Sequence, residues 1–233
     1  MLGKNIIISI DDFGIGQKAN KNFLELLKMG KIDRVAVMAN GQISESEARA
    51  LLASDAKLDI HLDFQGEIKQ ERKLKEGFLK RGFLFFTKYI FNFSQENARV
   101  EKVWEKQIKD FQKIFGKIPD GLNSHQHLHF FPAYFKIALK LARKYQIKFI
   151  RFGKEPSRKM DGVALLLDIM RRIDIIGFKK TSLATADLLI SFDWIKNFKK
   201  FQESLPEGKT AEVIFHPERD EEFIFLQEII SQE

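Results

Sequence analysis

The chain of 233 residues contains no cysteine. That absence excludes a disulfide framework, a thiolate nucleophile and any metal centre built on sulfur ligands, and it fits a reducing compartment. No apolar stretch approaches the ~18 residues that suggest a membrane span. The opening MLGKNIIISIDDFG lacks the long apolar region and small-residue cleavage site of a secretory signal. A cytoplasmic protein with no membrane partner is the expectation. Also missing are a Lys/Arg-rich tail, a zinc-finger spacing and an RNA-recognition aromatic motif. The net charge of +7 therefore reads as solvated surface: Lys102, Lys106, Lys109 and Lys113, then Lys136, Lys140 and Lys144, are spread along helical stretches among acids. No nucleic-acid partner is expected. There is no G-x-x-x-x-G-K-[ST] loop, no G-x-G-x-x-G after a strand and no G-x-S-x-G elbow, which argues against nucleotide-driven and serine-hydrolase chemistry.

What is present is an alternation of strand and helix patterns, about seven times over. Short apolar, β-branched runs predict strands at 5–10, 33–39, 58–62, 121–125, 147–152, 186–191 and 212–215. Helical spacing of apolar residues predicts helices at 17–29, 94–115, 132–145, 193–201 and 217–230, with helix and loop over 156–180. Ser44 and Glu47 have the spacing of a capping box and open a further helix through Leu52. Gly30 and Gly116 end helices, and Pro132 begins one. Residues 65–93, rich in Lys, Gly and Phe, read as an insertion or lid. With no repeat and no Pro-, Gly- or Ser-rich linker, the chain reads as one domain over 1–233. The alternation argues for parallel strands joined by crossover helices.

Chemistry-bearing residues gather at the predicted strand ends. Asp11 and Asp12 follow the first strand, His61 ends the third, His125 the fourth, Arg151 the fifth, and His216 the last. In a barrel such positions converge on one mouth, whereas an open sheet spreads them across its width. A distorted (β/α) barrel of about seven strands is therefore the expected fold. An aspartate after a strand is commonly a turn or helix-cap residue, but two in succession allow one to ligate a metal while its neighbour acts as a base. Only five histidines occur, and His125, His127 and His129 lie within five residues. If the strand continued, its period of two would put all three on one face; if the chain turns after His125, only some can be ligands and the others line the pocket. His216, ahead of Pro217, is either an incidental turn residue or a general acid opposite the metal. A mixed carboxylate–imidazole set suits a catalytic divalent ion, and the implied reaction is hydrolysis.

These residues also carry a resemblance. Asp-Asp-Phe-Gly after the first strand, His-Leu after the third, Ser-His-Gln-His-Leu-His-x-x-Pro in mid-chain and His-Pro near the end resemble the YdjC/ChbG family of carbohydrate deacetylases, over nearly the whole chain. The resemblance implies a divalent ion, usually magnesium, with zinc or another transition metal as the alternative. It implies Asp12, His61 and His125 as ligands, Asp11 as the catalytic base and His216 as proton donor to the leaving amine. His127, His129 and Arg151 are then substrate-pocket residues, and the substrate is an N-acetylated carbohydrate such as a chitooligosaccharide. The chain departs from the family pattern at Asn123, where Asp is frequent, at Ser9-Ile10, where Asn-Ala is usual, and at Glu218, where Gly is common. Two other readings are a metallohydrolase of a phosphoester or cyclic amide, and a basic polyanion-binding module with a structural metal. The sequence leaves the oligomeric state open, a homo-oligomer included.

Overall fold

Along the strands apolar residues alternate with polar ones, so each strand offers one oily and one polar face. The computed structural model describes residues 3, 5–63, 93–154 and 162–232. Among them, seven strands form one parallel sheet: β1 (Ile6–Phe13), β2 (Arg34–Val37), β3 (Lys57–Leu62), β4 (Gly121–Ser124), β5 (Phe149–Ile150), β6 (Leu188–Ser191) and β7 (Ala211–Phe215). Their order is β5-β4-β3-β2-β1-β7-β6. The crossovers carry helices α1 (Gln17–Met29), α2 (Glu45–Leu52), α3 (Phe93–Phe115), α4 (Pro132–Lys144), α5 (Gly162–Phe178) and α6 (Phe198–Glu203), and α7 (Asp220–Ser231) closes the chain. The expected 65–93 insertion lies outside the described residues, apart from Phe93, which opens α3.

The sheet curls into a half-barrel, and isolated parallel bridges Phe149–Ala184 and Lys154–Leu188 draw its two edge strands together. Gly153 is required at that seam, because a Cβ there would sit 2.7 Å from the carbonyl carbon and 2.8 Å from the carbonyl oxygen of Leu188. Backbone on both sides cannot give way as a flexible side chain could. Gly153→Ala is expected to destabilise the protein by about 1–3 kcal/mol, read as a lowered denaturant midpoint; an unchanged midpoint means the seam bears no load.

The outward faces hold Ile8, Ile10, Val35, Val37, Leu58, Ile60, Leu122, Val213 and Phe215, all buried beneath the helices. α3 answers with Val100, Trp104, Ile108, Phe111 and Phe115, one buried stripe of helical period. Trp104 meets Tyr134 of α4 edge-to-face, with ring centroids 5.9 Å apart. The concave face is polar instead. Arg34 on β2 grips both carboxylate oxygens of Asp59 on β3, at 2.8 and 2.6 Å. Gly121 of β4 leaves room for that pair, since a Cβ there would lie 2.5 Å from both Arg34 Nη2 and Asp59 Oδ1. Arg151, just past β5, reaches Asp11 and Ser9 on β1 and Glu212 on β7. β5 stands four places from β1 in the sheet, so this contact crosses the concave side and braces the curl.

The predicted elements agree with these in kind, and the differences are local. β1 runs through the Asp pair to Phe13 rather than turning at Asp11. β5 is two residues long, because Arg151–Lys154 pairs only intermittently along the seam. The helix expected at 193–201 begins at Phe198, after a short 3₁₀ turn at Phe192–Trp194.

Candidate metal centre

β1 ends in an irregularity. Its register with β2 shifts between Ile10 and Phe13, and Asp12 takes a φ of 74°. A non-glycine residue in this left-handed region costs on the order of 1 kcal/mol or more. The distortion lets consecutive aspartates face different neighbours: Asp11 turns into the concave network, while Asp12 turns to the histidines. β3 delivers His61 beside Asp12, and the segment after His61 is fixed by Gln107 of α3. The Gln107 amide accepts from the Asp63 N–H at 3.0 Å and donates to the Asp63 carbonyl at 2.7 Å.

β4 stops at Ser124, and Gln126 and His127 adopt left-handed φ values of 53° and 55°. Continuation of the strand through His129 is thereby excluded, and the three histidines of the cluster do not share a face. Ser124 makes the turn: its hydroxyl oxygen accepts from the His129 N–H at 2.9 Å and lies 2.7 Å from His129 Nδ1.

At the centre, one carboxylate oxygen stands between two imidazoles. Asp12 Oδ1 is 3.0 Å from His61 Nε2 and 2.9 Å from His125 Nδ1. The two rings are nearly perpendicular, with centroids 5.6 Å apart. One ligand atom from each of Asp12, His61 and His125 falls within 4.8 Å of the others, and this group could hold a metal ion. Behind it, His61 Nδ1 lies 2.6 Å from Asn123 Oδ1. Donation of the Nδ1 proton to that amide oxygen leaves Nε2, with its lone pair, aimed at Asp12. The chemistry of the donors, two imidazoles and one carboxylate at strand ends, fits a divalent cation with open coordination positions. Burial raises the Asp12 pKa, but the facing His125 and His61 outweigh it and hold the carboxyl well below its ordinary range.

Asp11 is bound at both oxygens by Arg151, at 2.6 and 2.7 Å, and its Oδ2 lies 4.0 Å from His61 Nδ1. Burial opposes ionisation, yet Arg151 and His61 bring its pKa down to about 2. It is a carboxylate at every working pH. Arg151 is fully buried between Asp11, Glu212 and Ser9. His129 is also fully buried, with Nε2 2.8 Å from the Arg151 carbonyl. Arg151 thus joins β1 to β7, and His129 ties the turn after β4 to the segment after β5. Burial, then the Arg151 charge, hold His127 well below the ordinary imidazole range; its Nδ1 is buried without a partner.

β7 places His216 beside the Asp pair. Glu222 of α7 accepts the His216 backbone N–H at 2.7 Å and sets a carboxylate oxygen 3.6 Å from Nδ1. Burial lowers the imidazole pKa, but Glu222, Asp12 and Asp11 together raise it above 6.5. The protonated form thus persists above the ordinary range and is lost as pH rises through the raised value. In metal-free protein, a chemical-shift titration of His216 should show a midpoint above 6.5, and Glu222→Gln should bring it down. A midpoint that ignores Glu222 would remove the carboxylate as the cause.

The residues singled out in the sequence thus divide into a cluster (Asp12, His61, His125), flanking groups (Asp11, His216, His127) and buried supports (His129, Arg151). Two contributors escaped notice, Glu212 and Glu222, and Ser9, seen in the sequence as a departure from the family pattern, proves to be a partner of Arg151. Glu212 carried a signal, an acid inside the apolar strand AEVIF.

The profile of the family described as YdjC-like protein matches residues 5–233. Among solved structures, the fold is similar to that of a candidate cellobiose-phosphate cleavage protein from Enterococcus faecalis V583, with a TM-score of 0.58 and 19% identity, covering 91% of this chain and 80% of that one. At that identity the likeness concerns the fold. Among the described residues, no helix is long and apolar enough to cross a membrane.

Proposed function

The chain belongs to the YdjC-like family, and from that premise we propose that it is a divalent-metal-dependent hydrolase that removes acetyl from an N-acetylated sugar, such as a chitooligosaccharide. The observation that carries this reading is the Asp12 carboxylate set between His61 and His125, with Asp11 and His216 nearby on β1 and just past β7. A cation held by Asp12, His61 and His125 would supply an acidified water and polarise the acetamide carbonyl. Asp11, ionised and locked by Arg151, accepts the proton that water gives up on attacking the carbonyl carbon. His216, kept protonated by Glu222, donates to the nitrogen as the C–N bond breaks. Acetate and a free amine leave. Asn123 holds the His61 tautomer, and His127 stays neutral as an uncharged wall.

The family resemblance implies magnesium. Two imidazoles to one carboxylate is a donor set that suits zinc or another transition ion better than magnesium, which prefers oxygen. A chelator should lower acetate release from N-acetylglucosamine oligomers at least a hundredfold, and add-back of single metals should identify the ion. His125→Ala should lose the ion in metal analysis. Undiminished turnover by a metal-stripped sample would sink the proposal, and phosphate release from a generic ester in place of acetate would shift it to phosphoester hydrolysis.

A further inference from the structure

α4 packs against α5, and the C-terminal ends of both helices border one cleft of about 700 Å³, lined from residues 136–148 and 180–183. Lys148 precedes β5 and Arg151 follows it, so in this parallel sheet the cleft lies at the opposite end from the Asp12, His61 and His125 cluster. Every charged side chain lining it is a cation: Lys136, Lys140, Arg143, Lys148 and Lys180. The even spread of lysine along the sequence hides this grouping, which only the fold makes.

Two of the five have acids nearby. Lys140 donates to Glu101 Oε1 at 2.5 Å. Burial raises the Asp174 pKa to about 7 and the Lys136 charge opposes that rise, so Lys136 is offset in part. Among the described residues, Arg143, Lys148 and Lys180 form no ion pair. Elsewhere on the surface Lys106, Lys109, Lys117 and Lys209 each have a carboxylate oxygen within 2.8 Å. The ends of α4 and α5 bring partial negative charge, about half an elementary charge each, which offsets roughly one of the three unpaired cations and leaves about +2. Cations gathered without counter-charge repel one another, and a bound dianion removes that repulsion. The rim is already ordered: the Ala184 N–H donates to the Lys148 carbonyl at 2.8 Å, and the Thr181 N–H and hydroxyl both donate to the Phe178 carbonyl, at 2.9 and 2.7 Å. Little ordering is therefore left for a ligand to impose.

We propose that this cleft is a second binding site, for a small phosphate-bearing molecule with two or more negative charges. The Arg143 guanidinium offers a planar fork that matches two phosphate oxygens, and Lys148 and Lys180 supply point charges. The Gln146 carboxamide and the Ser182 hydroxyl, which line the same cleft, add uncharged donors. Leu139 and Leu183 give it apolar wall, and its volume is that of a site for a small organic ligand. The proposal is independent of the reaction at the metal centre.

The test is calorimetric titration of the metal-loaded protein with fructose 1,6-bisphosphate, inorganic phosphate and fructose, with hydrogen exchange to locate the bound anion. The bisphosphate should bind saturably and slow exchange of the amides at 143–148 and 180–183, and fructose should not bind. Arg143→Gln combined with Lys180→Gln should weaken the bisphosphate at least tenfold, while metal content and the denaturant midpoint stay unchanged. Inorganic phosphate binding as tightly as the bisphosphate supports the site and assigns it to free phosphate; tighter binding of the bisphosphate supports it and assigns it to an organic phosphate. Affinity that is unchanged in the double variant, or that disappears with the metal, overturns the proposal by placing the anion at the metal centre. So does the absence of saturable binding by either anion up to about 10 mM.

Discussion

Asp11→Asn is expected to lower acetate release by about three orders of magnitude, within the span that removal of a positioned general base produces, while the protein keeps its metal. The two consequences separate because of the turn at Asp12. With φ at 74°, Asp12 points to His61 and His125, and Asp11 points to Arg151, so adjacent residues have separate partners. The amide is isosteric with the carboxylate but cannot accept a proton. Steady-state rates with metal analysis of the same sample decide the matter. Turnover near the wild-type rate would remove Asp11 as the base, and loss of the ion together with activity would move it into the ligand set.

Arg151→Met should destabilise the fold by about 3–5 kcal/mol at neutral pH, the usual cost of removing one partner from a buried ion pair. The guanidinium is fully buried and holds Asp11 at two points, Glu212 at 2.8 Å and Ser9 at 2.8 Å. Without it, Asp11 and Glu212 are left as buried carboxylates that have lost their bonded guanidinium, and the brace across the half-barrel is gone. The pH dependence has a definite sign. In the native protein the Asp11 pKa is depressed from 3.8 to about 2, so its contribution is present above the unfolded value and is lost as pH falls through the folded one. In the variant the largest opposing influence on burial is gone, with only His61 and His216 left to lower that pKa, so it moves up from its native position and protonation relieves the buried charge. Urea unfolding at pH 7 and pH 4.5 should show the gap between native protein and variant narrowing on acidification. A constant gap would mean that lost packing, not unpaired charge, dominates.

Much of this was legible in the chain because short-range rules govern it. The capping box of Ser44 and Glu47 forms as its spacing predicts, and α1 and α2 occupy the expected residues. The alternation of strand and helix led to the parallel, curled sheet, since parallel strands need crossovers and crossovers need helices. Asp12, His61 and His125 converge because polar residues at the ends of buried strands have one mouth to face.

The histidine cluster shows where local reasoning ends. Period-two logic holds only while the strand lasts, and β4 lasts until Ser124. Two left-handed residues then bury His129 against the Arg151 carbonyl and leave His125 beside Asp12, a choice made by the Ser124 hydroxyl and the Arg151 carbonyl. Arg151 itself is the larger case. Its partners lie 140, 142 and 61 residues away in sequence, and no window along the chain contains them. The sequence by itself determined which residues carry chemistry and that a parallel α/β sheet would present them. Only the tertiary structure decided their division of labour, because a buried charge takes its role from whichever groups the curl of the sheet brings within about 3 Å of it.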